Sequence, residues 1–254
     1  MWSFSQAGGE PADFEFTPAG LPRYPLTSEG TLGDPRARRA LDELHAKPLN
    51  FNREDRAGWT REAGWRIDDY CQPLPSEPPG APQPDGTWAR ARALLRNYEF
   101  ADPRIVRAVY HPGDPLEGRD MLLEVHFWGL RFRFGVRVSG VIDELRQVEG
   151  GDVQVWGWSY ATLQGHLETG QMDYEVWKWL DSGAVEFRIH VVSRSSRIGN
   201  PLVRLGFRLF GRREQVRFAK RACARMACLV AGNRSVRTAS GIPVAEEPGL
   251  PAGR

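Results

Sequence analysis

His166 and Glu168 stand two residues apart between Gly165 and Gly170. A histidine exchanges a proton near neutral pH, and a nearby carboxyl group supplies the complementary acid or base. If both face one cavity, they form a proton-transfer pair of the kind a cyclase or hydrolase uses. The same residues also suit a structured glycine turn whose side chains satisfy local backbone groups. No further His, Cys, Asp or Glu stands nearby at metal-ligand spacing, so no metal is expected.

Two other constellations carry possible chemistry. Trp156, Trp158 and Tyr160 share one strand face, with Trp177 and Trp179 on the next strand. Such a stripe either lines a pocket for a flat or hydrophobic molecule or fills the core. The second is basic. Between Arg197 and Arg237 there are eleven Lys or Arg and one acid, Glu214, which is +10 in a chain of net +2. Arg204, Arg208 and Arg212 form one i,i+4 row, and Arg213, Arg217 and Arg221 another. They suit either an anionic membrane or nucleic-acid surface, or the solvated face of an amphipathic helix. GxSxG, P-loop, HExxH and dinucleotide-binding glycine motifs are missing, which excludes the common motif-bearing enzymes. No cofactor is expected.

The chain has 254 residues, 41% hydrophobic and 26% charged, enough to bury a substantial core. The start, MWSFSQAGGE, lacks a cationic head with an apolar run, and no stretch approaches the roughly 20 apolar residues of a membrane span. Cys71, Cys223 and Cys228 contain no CxxC pair and are odd in number, which suits a reducing compartment, hence the cytoplasm.

The elements that must position these residues follow from periodicity. Residues 1–60 read as an arm with one short helix, opened by Asp34-Pro35 and ended before Pro48. Gly64 to Leu74 reads as a strand, and the proline-rich stretch 73–87 as an extended linker or surface loop. Trp88 to Phe100 is helical. From Ile105 to Ser193 the period becomes two. Leu123, Val125 and Phe127 alternate with Glu124 and His126; Phe187, Ile189 and Val191 alternate with Glu186, Arg188 and His190. The charged members are expected on a solvated face. Trp128-Gly129-Leu130 and Asp181-Ser182-Gly183 read as turns. After Pro201 an amphipathic helix carries Leu202, Leu205, Leu209, Val216, Ala219, Cys223, Met226 and Val230, with Gly232-Asn233 as its stop and 233–254 as a flexible tail.

A run of antiparallel strands with one apolar face needs a cover, and that helix is the only long amphipathic element. The expected fold is α+β: a curved antiparallel sheet of six or seven strands wrapped around a long C-terminal helix. The order resembles the helix-grip fold of START-type lipid-transfer, birch-pollen-allergen and polyketide-cyclase-like proteins. The stretch Trp158-Ser159-Tyr160-Ala161-Thr162-Leu163-Gln164-Gly165-His166-Leu167-Glu168-Thr169-Gly170, with Asp173-Tyr174-Glu175-Val176, is similar to the tyrosine, TLPGHPE and GEE-x-F signature of the uncharacterised family catalogued as domain of unknown function nineteen-ninety. Val185 to Ile189 and Val192-Ser193-Arg194 look like its later strand and SRP motif. Leu167, Gln171 and Ser195 depart from it. The resemblance spans Gly64 to Ala231 and implies the helix-grip fold but no settled activity. The expected domain is therefore 61–232. Its expected ligand-binding residues are Trp156, Trp158, Tyr160, Thr162, His166, Trp177 and Arg194, and the expected partner is a small hydrophobic or aromatic molecule.

Overall fold

The computed structural model describes residues 35–127, 130–196 and 211–239, with the backbone alone at 126–127, 130–131 and 233–239. Seven strands form one antiparallel sheet: β1 (Arg66–Leu74), β2 (Val106–Val109), β3 (Asp120–Phe127), β4 (Leu130–Val148), β5 (Gly151–Thr162), β6 (Glu168–Trp179) and β7 (Val185–Ser195). The spatial order is β1-β7-β6-β5-β4-β3-β2. Consecutive strands from β2 to β7 are neighbours because their connections are short. β1 returns to the far edge beside β7, pairing Arg66 with Ser193 and Leu74 with Val185. The helices are α1 (Pro35–Asp42), α2 (Thr87–Arg96) and α3 (Arg212–Ala239).

The alternation read from sequence sets two faces. Leu123, Val136, Val138, Trp156, Trp158, Tyr160, Met172, Tyr174, Val176, Phe187, Ile189 and Val191 bury the inner face. Phe218, Ala219, Ala222, Cys223, Met226 and Val230 of α3 join the same core. Their spacing of one, three or four residues places them along one helical stripe. β4 is 19 residues long and shifts register between Val138 and Gly140. Such a bulge bends a long strand and increases its twist, which lets the sheet curl over the helix. The expected helix-grip arrangement is thus present.

Several elements differ from the sequence reading. The proline-rich stretch is no linker. Glu77 lies buried within it, its backbone amide donating to Gly183 O at 2.9 Å, and the Gly80 amide donates to Leu180 O at 2.7 Å. Gly183 has φ +73, and a Cβ there would meet Glu77 O at 1.9 Å, so the β6–β7 turn and the loop fit only around glycine. α3 passes straight through Gly232 and Asn233 to Ala239; a single glycine weakens a helix but does not end one already carried by packing. Its expected opening and the apolar positions Leu202, Leu205 and Leu209 lie outside the described residues, as do Trp128-Gly129 of the β3–β4 turn. α3 is also not the sole cover. α2 buries Trp88, Ala91 and Leu95 against the inner face, with Trp88 Nε1 donating to Val176 O at 3.2 Å.

The outer face is covered too. Leu41 and Leu44, from α1 and the turn after it, bury Val109, Leu122 and Leu163. Glu124 is not on a solvated surface either; it is buried and takes the Arg133 guanidinium at 2.9 Å. The chain continues to Asn50, which bridges the β5–β6 end. Its Nδ2 donates to Glu168 O at 2.8 Å, its Oδ1 accepts from the Thr162 hydroxyl at 2.6 Å, and its amide donates to Thr162 O at 3.1 Å. Asn50→Ala should lower stability by about 1–2 kcal/mol, because it removes these two part-buried side-chain bonds and a longer one from Nδ2 to Ser196 Oγ at 3.5 Å. Urea denaturation checks this; a loss under about 0.3 kcal/mol would mean that the arm is not fastened there.

Candidate functional site

The signature segment spans the end of β5, a short turn and the start of β6. The glycine-flanked loop expected between Gly165 and Gly170 is shorter than it reads, because Glu168, Thr169 and Gly170 already belong to β6. Gly170 sits at φ +157, and a Cβ there would meet Val192 O at 2.0 Å. Its amide donates to Thr162 Oγ1 at 3.0 Å. Glycine therefore lets β6 lie against β7 where the turn closes.

The pair His166–Glu168 divides between the two readings. His166 Nδ1 accepts the Glu168 backbone amide at 3.0 Å, so the imidazole fastens the turn. Its ring lies 4.9 Å from that of Phe134. Burial pushes its pKa down to about 4, against a smaller upward pull from the Glu168 backbone. The carboxylate of Glu168 instead turns inward. Gln215 Nε2 of α3 donates to its Oε2 at 2.6 Å, and to Ser193 Oγ of β7 at 3.2 Å. Burial pushes Glu168 up to about 7, outweighing the downward pull of Arg66 and Arg212, with Asp68 adding to the rise. The remaining atoms, Glu168 Oε1 and Gln215 Oε1, are buried without a hydrogen-bond partner. Gln215 Oε1 is an acceptor, and so is Glu168 Oε1 when the carboxyl group is ionised, so the ionised site calls for a donor.

Deeper on the inner face stands an aromatic cluster. Trp158 meets Tyr174 at 5.2 Å between ring centroids and Tyr160 at 6.2 Å, and Tyr174 meets Tyr160 at 5.8 Å. Trp158 Nε1 donates to Leu95 O at 3.1 Å. Tyr98, just after α2, enters from the opposite side with φ 60, a left-handed conformation that side chains rarely adopt. Tyr160 donates to Met172 Sδ at 3.6 Å, whereas Tyr98 Oη and Tyr174 Oη are buried with no hydrogen bond of ordinary geometry. Burial pushes Tyr160 up to about 12 and raises Tyr98 and Tyr174 well above the usual phenol value. All three remain O–H donors near neutral pH.

Two expected ligand residues lie on the other face. Trp177 packs with Val153 and Val155 outside the sheet, stacked 3.7 Å beneath the Arg188 guanidinium, with its Nε1 donating to Glu175 Oε2 at 2.5 Å. Strand alternation requires this: Tyr174 and Val176 face inward, so Trp177 and Trp179 face outward. Arg194 likewise lies outside, 4.5 Å over the Trp65 ring. Thr162 is buried, but its hydroxyl is used by Asn50 and Gly170. Trp156, Trp158 and Tyr160 remain inward together. Sequence reasoning missed Tyr98, Tyr174, Gln215 and Ser193. Tyr174 was detectable, since it shares β6 parity with Val176 and opposes the parity of Glu175 and Trp177.

The arginine rows are largely engaged within the molecule. Arg212 makes a two-pronged ion pair with Asp68 of β1, with one bond at 2.6 Å. Arg217 pairs with Glu214 at 3.2 Å, and Arg221 with buried Asp102 at 3.0 Å. Although burial raises Asp102, hydrogen bonds from Arg104 and Arg221 hold it at about 2. Arg213 is exposed, and Arg204 and Arg208 lie outside the described residues. No group of His, Cys, Asp and Glu among the described residues forms a metal site, and none of their helices is long and apolar enough to cross a membrane.

A seven-stranded antiparallel sheet curled over a C-terminal helix, with a polar end enclosed between them, is the helix-grip class. The chain belongs to the family described as domain of unknown function (DUF1990), whose model matches residues 53–224. Among solved structures it is similar to Ara h 8.0201, at 11% identity and TM-score 0.42 over 67% of this chain and 100% of that one. It is also similar to the Zhui aromatase/cyclase from Streptomyces sp. R1128, at 15% identity and TM-score 0.40 over 70% of this chain and 99% of that one. No curated protein matches the chain.

Proposed function

We propose that this protein binds one small hydrophobic or aromatic molecule between the inner face of the sheet and α3, in a reducing, cytoplasmic setting. The observation that carries the reading is the pair of buried oxygens without hydrogen-bond partners, Glu168 Oε1 and Gln215 Oε1. Buried polar atoms are normally satisfied, and leaving one unmade costs about 1–3 kcal/mol. A ligand hydroxyl or amine at that point would supply the missing donor, with its apolar body toward Tyr160 and Trp158. Phe132 and Phe134, half-buried, share the inner face of β4 and would add apolar wall.

Binding is favoured over proton-transfer catalysis because His166 Nδ1 is occupied by the turn while Glu168 reaches toward α3. It is favoured over an anionic-surface role because Arg212, Arg217 and Arg221 already hold carboxylates. Thermal-shift and native mass-spectrometry titrations with naphthols and fatty alcohols test it. A hydroxylated ring compound should bind one per chain, and at a hundredfold excess over Kd should stabilise by about 2.7 kcal/mol. Gln215→Ala should weaken 2-naphthol more than naphthalene. Absence of any 1:1 complex across both series would sink the reading.

A further inference from the structure

Three phenols from three different elements meet inside the core: Tyr98 after α2, Tyr160 on β5 and Tyr174 on β6. An apolar core gains nothing from hydroxyls, and phenylalanine would fill the same volume without the desolvation cost. Tyr160 uses its hydroxyl on a sulfur, while the Tyr98 and Tyr174 hydroxyls meet only each other and that of Tyr160, without the geometry of an ordinary hydrogen bond, although the side chains are 6% and 0% exposed. Tyr98 is moreover held at φ 60, the one non-glycine residue with positive φ among the described residues. Strained residues persist where the surroundings over-determine them, and such positions cluster at ligand clamps. Here the strain brings a phenol beside the Tyr174 ring, 6.2 Å between centroids.

From this convergence we infer that Tyr98 and Tyr174 form a second polar subsite, which donates two hydrogen bonds to a carbonyl or similar acceptor oxygen on a flat apolar ligand. This rests on the binding reading above and adds a demand that it does not make. The rim at Glu168 and Gln215 seeks a donor, whereas the phenols present donors and select an acceptor. The two ends together favour a fused-ring molecule with a hydroxyl at one end and a keto oxygen at the other. Polar sites of this kind discriminate strongly, because an analogue lacking the partner atom leaves the site's groups unpaired.

The test compares 9-fluorenone with fluorene, two rigid molecules of nearly equal shape that differ in one carbonyl. Tryptophan-fluorescence titration of the full chain should give fluorenone at least tenfold tighter binding than fluorene. In the double variant Y98F/Y174F the two should bind equally, with fluorene affinity unchanged within twofold. The same variant without ligand should melt no lower than the wild type, because the hydroxyls it loses make no hydrogen bond of ordinary geometry. Equal binding of both compounds to the wild type would overturn the subsite while leaving the binding reading intact. Binding of neither compound would overturn the subsite, and the naphthol and fatty-alcohol titrations would then decide the binding reading separately. A variant that melts several degrees lower would also overturn it, by showing that the hydroxyls are already satisfied in the empty protein.

Discussion

Lys178→Ala should destabilise this protein by about 3–5 kcal/mol, the cost of breaking a buried ion pair from one side. Lys178 is fully buried on β6, and its ammonium donates to Glu77 Oε2 at 2.9 Å, Pro78 O at 3.1 Å and Ala81 O at 3.0 Å. Its three donors thus meet three acceptors. Glu77 serves two further bonds. Its Oε1 accepts the Trp88 amide at 2.7 Å and its Oε2 the Gln83 amide at 3.1 Å, so the carboxylate also caps the start of α2. Burial raises Glu77, but the Trp88 amide and Lys178 outweigh it and leave the pKa lowered. Removal of Lys178 leaves a carboxylate in the interior with amides alone. Removal of both charges in K178M/E77Q should cost clearly less than K178A, since an apolar or neutral replacement of a whole buried pair is often nearly neutral. Urea unfolding of the three variants measures this. Equal losses in single and double variants would show that the loop is held by something other than the pair.

That pair marks the limit of what the sequence makes visible. Strand parity is local, so the apolar and charged residues of β3, β5 and β7 sort into faces from the order of residues alone. Assigning Lys178 to the interior required accepting a charge where the alternation placed one, between Trp177 and Trp179. Reading the tryptophans as the inward set reversed β6 against its own Tyr174 and Val176. The partner of Lys178 is a hundred residues away, in a stretch whose prolines resemble a linker; proline fixes backbone angles but says nothing about which surface it docks on. Glu124 shows the same limit, because its burial goes with the Arg133 guanidinium paired opposite it on β4, which the alternation within β3 does not reveal. The glycine signature at 165–170 lies where β5 turns into β6. It could not show that one member of the pair holds the turn while the other enters the core, since that depends on Gln215, Ser193 and Arg212 arriving from α3 and β7.

Glu168→Gln should stabilise the protein on the order of 3 kcal/mol above pH 7.5 and change little at pH 4.5. A carboxyl group lifted to about 7 in the folded state binds its proton more tightly there than when unfolded. Stability from this group is therefore fullest below about 4.5, falls as pH rises to 7, and is level beyond. The groups facing it are Arg66 and Asp68 of β1 and Arg212 and Gln215 of α3. Arg66 and Arg212 stay charged throughout, and Arg212 is largely taken by Asp68, so they temper the slope without reversing it. His166 acts oppositely. Held down to about 4 when folded, it contributes stability above 6.5 that is lost as pH falls toward 4. Between about pH 4.5 and 6.5 the two slopes cancel, and the wild type should appear insensitive to pH over that range. Each substitution unmasks the other residue. In E168Q stability should rise with pH from 4.5 to 6.5; in His166→Asn, whose amide oxygen can still accept the Glu168 amide, it should fall from 4.5 to 7. Denaturant midpoints of the wild type and both variants at half-unit intervals decide the matter. Parallel profiles for all three proteins would mean that neither group is held away from water as the structure places it, and the buried carboxyl at Glu168, on which the proposed ligand binding rests, would go with it.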